Sequence, residues 1–135
     1  CLGYSVGSNN DFSFEMSVHE DVSEKCEIHT FDFGNYAEGA NNAGSYIHYH
    51  QVGVGLDSPP RFKSVQTLVQ ELGHLDRVID VFKIDCEGCE WTTAKHWFEA
   101  NVTLPHARNE SQRERSLVPI GPSSRAARTT STLAD

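Results

Sequence analysis

Asp85, Glu87 and Glu90 fall within six positions of one another in the run Val81-Phe-Lys-Ile-Asp-Cys-Glu-Gly-Cys-Glu-Trp91. Carboxylates so placed can take up a proton, favour a nearby cation or cap a helix. The apolar residues ahead of them have the pattern of a parallel strand covered on both faces. In open α/β sheets, chemistry gathers just past the carboxyl ends of such strands. The run is therefore expected to end a buried strand at a functional rim. Capping of the following helix is the plainer reading of the same acids.

A second candidate pairs the loop Gly7-Ser-Asn-Asn-Asp11 with Asp32. A glycine lets backbone come close to a ligand. A helix start after the loop offers N–H donors and a positive dipole end. An acid after the second strand can accept ribose hydroxyls. The loop has one glycine rather than three, so it is not a dinucleotide fingerprint, and an ordinary βα turn beside a surface Asp would look similar.

Cys86 and Cys89 allow three readings. They are half of a zinc site, a redox pair at a helix start, or two small residues packed at a strand–helix junction. The third needs no further partners and is preferred. His48 and His50 share one face of a strand and with His29 could approach a metal, but histidines so placed are more often polar strand residues. No metal is assigned.

The elements that position these groups follow from periodicity. Residues 1–6 read as a strand and 26–31 as a second, ending in Asp32. Residues 12–22 alternate in polarity yet contain i,i+4 apolar pairs, and a helix is preferred because it completes a strand–turn–helix unit. Residues 34–45, rich in Gly, Asn and Ala, read as a loop, and 46–54 as a third strand. Val65, Leu68, Val69 and Leu72 make an amphipathic helix with Gly73 as its terminator. Residues 78–84 form the strand described first, and Trp91, Ala94 and Phe98 suggest a helix after it. Residues 105–135 lack aromatic residues and apolar periodicity, and read as a disordered or unrelated tail. The sequons at Asn101 and Asn109 lie near or in this stretch and are ascribed to chance.

At 135 residues the chain suits one domain. Its net charge of −8 is uneven: residues 1–100 hold 6 Lys/Arg against 16 Asp/Glu. An acidic body argues against a nucleic-acid backbone as partner. No apolar run reaches the roughly 18 residues of a membrane span. The four cysteines leave the redox compartment undecided, and neither cellular location nor oligomeric state can be read from the residues.

Three blocks, Tyr4–Glu15, Glu27–Asp32 and Asp80–Trp91, together resemble the FkbM-type methyltransferase domain, and more closely the methyltransferase-like proteins with a Lys-Ile-Asp-Cys-Glu-Gly-Cys-Glu signature. The resemblance covers residues 1–100. It implies an α/β fold, a Rossmann-like three-layer α/β/α unit with a parallel sheet of order 3-2-1-4. Residues 1–104 would form a partial domain, with later strands missing. The implied cofactor is S-adenosylmethionine. Gly7, Ser8 and Asn9 match its binding loop, Asp32 the acid for the ribose, and Asp85 and Glu87 the acidic rim beside methyl transfer. The implied acceptor is a hydroxyl of a small molecule or glycan. Ser5 stands where many such enzymes carry an acid. A thioredoxin-like or zinc module built on Cys86 and Cys89, or an inactive domain of the same fold, are the alternatives.

Overall fold

A computed structural model describes residues 1–99. Four strands, β1 (Leu2–Val6), β2 (Glu27–Asp32), β3 (Ile47–Gln51) and β6 (Val81–Ile84), form one parallel sheet in the order β3-β2-β1-β6. This is the expected 3-2-1-4 order. The fourth sheet strand is numbered β6 because β4 (Gly53–Val54) and β5 (Phe62–Lys63) pair separately. All five residues of β1 are buried, as befits a central strand. Val6 lies in register with Phe31 on one side and with Ile84 on the other.

Alternation along the strands sorts side chains into two packed faces. Leu2, Tyr4, Val6 and Phe31 meet Val65, Leu68 and Val69 of α3 (Val65–Glu71). On the opposite face Ile28 packs with Val18, and Ile47 with Phe12 and Ala40. Helix α1 (Ser13–Ser17) and the π-helical turn that continues it over Val18–Val22 cover that face with α2 (Ala37–Ala43). The result is three layers, the Rossmann-like arrangement. Helix α4 (Cys89–Glu99) follows β6. No helix among the described residues is long and apolar enough to cross a membrane.

Over residues 12–22, Phe12, Glu15 and Val18 are buried while Met16 is exposed. That is a spacing of three, so the helical reading holds and the polarity alternation is incidental. Three element assignments need correction. The stretch 34–45 is not all loop, because 37–43 is helical. Gly39 and the two asparagines weaken helix propensity, but Ala40 is fully buried against Phe12 and Ile47, and packing outweighs propensity. The third strand stops at Gln51. The Val52 N–H turns back to the His50 carbonyl at 2.8 Å, and Gly53-Val54 leave the sheet to pair with Phe62-Lys63. The fourth sheet strand starts at Val81 rather than Val78. Before it, the Asp80 carboxylate and N–H hold Leu2 N–H and carbonyl at 2.9 and 2.8 Å.

Helix α3 is delimited by its own residues. The Ser64 hydroxyl accepts the Thr67 N–H, and Asp57 accepts from Ser64 and Thr67. Gly73, with φ +73°, ends it. Disulfides join Cys1 to Cys26 at the starts of β1 and β2, and Cys86 to Cys89 across the turn into α4. The tail 105–135, the sequons and the side chains of His96 and Trp97 lie outside the described residues.

Phe31 is fully buried at the centre of the larger core cluster, whereas Leu75 is 64% exposed. Phe31→Ala is expected to lower unfolding free energy by about 3–5 kcal/mol. Leu75→Ala should stay within about 0.5 kcal/mol of wild type. Urea midpoints read by circular dichroism measure both. Equal midpoint shifts would disprove this assignment of the core.

Candidate functional site

A cavity of about 490 Å³ opens at the carboxyl ends of β1, β2 and β6. Its size lies within the range of small-molecule sites. Gly7, Ser8, Asn9, Asp32, Asp85 and Glu87, separated by up to 80 positions in the chain, all line it. The parallel register explains the convergence, since three strands running the same way deliver their exit loops to one edge.

The loop after β1 is held by Asp32. One carboxylate oxygen accepts the Ser8 and Asn9 N–H groups, each at 2.9 Å, and lies 3.4 Å from the Ser8 hydroxyl. The other oxygen accepts the Gly34 N–H at 2.9 Å. Asn9 and Asn10 are left-handed, with φ of 46° and 64°, a conformation asparagine tolerates. The Gly7 N–H extends the sheet ladder to the Phe31 carbonyl at 3.0 Å. Gly7 itself has φ +79°, and a Cβ built there would overlap the carbonyl oxygen of Asp85. The first and last loops of the site therefore touch backbone to backbone, which only glycine allows.

Lys83 braces the same loop from below. Its ammonium donates to the Gly7 carbonyl at 2.7 Å and lies over the Phe14 ring. Sequence reasoning passed over this residue. The available signal was a lone cation inside an otherwise apolar strand. Tyr49 was also missed. Its hydroxyl donates to the Gly34 carbonyl at 2.6 Å and steadies the turn after Asp32, and burial raises its pKa. Phe33, Tyr36 and Phe62 give the cavity an aromatic wall, with the Arg61 guanidinium over the Phe33 and Phe62 rings.

The three acids of the run that ends β6 do different work. Asp85 closes the ladder through its N–H to the Val6 carbonyl, and its exposed side chain lines the cavity. Glu87, with φ +51°, is exposed at the same rim. Glu90 does not line the cavity. It turns back to accept the Cys86 and Gly88 N–H groups at 2.9 and 2.6 Å, and these backbone bonds, that from Cys86 first, lower its pKa. Glu90 thus serves the turn into α4, the alternative weighed for all three. Ser5 is fully buried and does not line the cavity. Cys86 and Cys89 do line it, bonded to each other.

His29, His48 and His50 do lie near one another on the sheet. His29 Nδ1 lies 2.9 Å from His50 Nε2, while His48 is exposed and stacks on His29. None of them lines the cavity.

A parallel α/β sheet with a ligand-sized cavity past its strand ends defines the Rossmann-like class of folds. The chain belongs to a family within that class. A family model described as a methyltransferase domain matches residues 1–123. The match begins at Cys1, includes every residue of the cavity and runs beyond residue 104. No curated protein and no solved structure matches the chain.

Gly7 and Gly73 share a left-handed φ, but a Cβ at Gly73 meets nothing within 4 Å. Alanine at either site incurs the same backbone strain of about 1–2 kcal/mol. Only Gly7→Ala adds a clash with the Asp85 carbonyl. Chemical denaturation should show Gly7→Ala as the more destabilised of the two by at least about 1 kcal/mol. Equal losses would mean that the two loops are not in contact.

Proposed function

We propose that this methyltransferase domain binds S-adenosylmethionine in the cavity past β1, β2 and β6 and transfers its methyl group to a hydroxyl of a small molecule or glycan, in the manner of FkbM-type enzymes. The observation that carries the reading is the meeting of the Gly7 loop, Asp32 and the Asp85–Glu87 rim in one cavity of a chain of this family.

The residues suit such a ligand. The Asp32 oxygen that takes only the Gly34 N–H has lone-pair capacity left for a ribose hydroxyl. The aromatic wall of Phe33, Tyr36 and Phe62 suits a planar base. The Asp85 and Glu87 carboxylates in the lining favour a sulfonium cation and disfavour an anionic ligand. When bound, S-adenosylmethionine supplies the electrophilic methyl group. The chain's part is to orient the acceptor in line and keep it there. An acceptor hydroxyl taking the methyl group would lose its proton to Asp85 or Glu87, while the sulfonium S–C bond would break and leave a neutral thioether.

Titration calorimetry of S-adenosylmethionine into the chain tests this reading. We expect saturable binding, weakened at least tenfold in Asp32→Ala. Asp57→Ala should bind as wild type, because Asp57 braces the Ser64 cap of α3 and does not line the cavity. A folded wild-type chain that takes up no S-adenosylmethionine would favour an inactive interaction domain. Reduction of insulin disulfides by that same chain would favour the redox reading of Cys86 and Cys89.

A further inference from the structure

Towards the amino ends of the strands, away from the cavity, the core holds a polar cluster that methyl transfer does not use. Glu27 opens β2, His29 follows on the same face, and His74 enters from the turn after α3. His29 and His74 are 5% and 4% exposed. His29 Nε2 lies 2.9 Å and His74 Nε2 3.4 Å from the same carboxylate oxygen of Glu27. Among the described residues, the donor atoms of these three all fall within 4.8 Å of one another. We propose that Glu27, His29 and His74 form a binding site for a divalent transition metal of the zinc class.

The spacing supports this. Tetrahedral coordination with bonds of about 2.0–2.1 Å puts ligand atoms about 3.3–3.4 Å apart. The two oxygen–nitrogen separations stand within half an ångström of that, and all three donor atoms lie within 4.8 Å of one another. The donor set is two imidazoles and a carboxylate, which suits zinc and its neighbours rather than calcium or magnesium, whose ligands are oxygens. Three protein ligands leave a fourth position for water. The Glu27 side chain, 35% exposed, provides the route from solvent.

The surroundings supply what metal-bound histidines need. A ligating imidazole usually has its other ring nitrogen hydrogen-bonded, which fixes tautomer and orientation. His29 Nδ1 has His50 Nε2 at 2.9 Å, and His74 Nδ1 has the Tyr4 hydroxyl at 2.7 Å. The Arg77 guanidinium holds the second Glu27 oxygen at 2.6 Å, leaving the first for the ion. Burial lowers the pKa of both imidazoles, and bonds from His29 and Arg77 hold Glu27 down at about 2. The bound ion would tie β2 to the turn between α3 and β6.

Zinc titration of the untagged chain, stripped with chelator and returned to a non-chelating buffer, tests the site. We expect one equivalent bound and a higher melting temperature with zinc. His74→Ala and Glu27→Ala should each weaken binding at least tenfold. His48→Ala should leave it unchanged, since His48 only stacks on His29. If circular dichroism shows His74→Ala unfolded, Glu27→Ala decides alone. The absence of stoichiometric binding to the folded wild type overturns the proposal, and so does undiminished binding in Glu27→Ala. Loss of binding in the double variant Cys86→Ser/Cys89→Ser also overturns it, because the ion would then sit on thiolates.

Discussion

The grip of one carboxylate on the first loop is the constraint from which the site is built. After β1 the Gly7 N–H makes the last bond of the ladder, and the backbone then turns through Ser8 and two left-handed asparagines, where the Ser8 and Asn9 N–H groups leave the sheet. A buried N–H without an acceptor costs about 1–3 kcal/mol. Asp32 removes that cost for the buried Ser8 and takes the Asn9 N–H with the same oxygen. It can do so only because β2 lies parallel to β1 and ends one residue beyond the Val6–Phe31 pair. Sheet register and loop shape are thus one requirement. Changing either moves the acid away from the amides it must meet.

The same loop is fixed from the other side by contact rather than by charge. Gly7 lets the chain pass against the Asp85 carbonyl, and Lys83 ties its own carbonyl from below. Lys83, Ser5 and Thr30 are neighbours in register on the face covered by α1. The fully buried Glu15 accepts the Thr30 hydroxyl at 3.0 Å there. Beneath the loop that face is polar, with Lys83, Thr30 and Glu15 in hydrogen bonds, and further along it is apolar, where Ile28 meets Val18 and Ile47 meets Phe12. The other face is apolar under α3 and polar at Glu27, His29 and His74.

Much of this was legible in the residues. The strand before Asp85 declared itself by its apolar run, and α3 by apolar residues at i, i+3, i+4 and i+7 with a glycine after. The rim acids were visible because they end a strand. What was not legible depended on contacts across the sequence. Helix α2 exists because Ala40 finds a fitted place against Phe12 and Ile47, and no local propensity in 34–45 announces that. The third strand ends early because Gly53 and Val54 find Phe62 and Lys63 as partners, a pairing that periodicity cannot reveal. Glu90 could not be told from Asp85 and Glu87 by type or spacing. Only the direction of the turn after Gly88 decides that it faces backbone amides.

The histidines make the same point more sharply. His48 and His50 invite grouping because they alternate on one strand, and alternation does put them on one face. Yet β3 is an edge strand, and His48 there faces solvent. The residue that completes the cluster around His29 is His74, 45 positions further on in a turn after a helix terminator. Gly73 is what delivers it. Its left-handed φ ends α3 and reverses the chain, and the His74 N–H closes that reversal on the Val69 carbonyl at 2.8 Å. The imidazole is thereby driven under the sheet, to the Tyr4 hydroxyl and Glu27. A glycine that reads in sequence only as the end of a helix is, in the fold, what sets a buried imidazole beside a carboxylate.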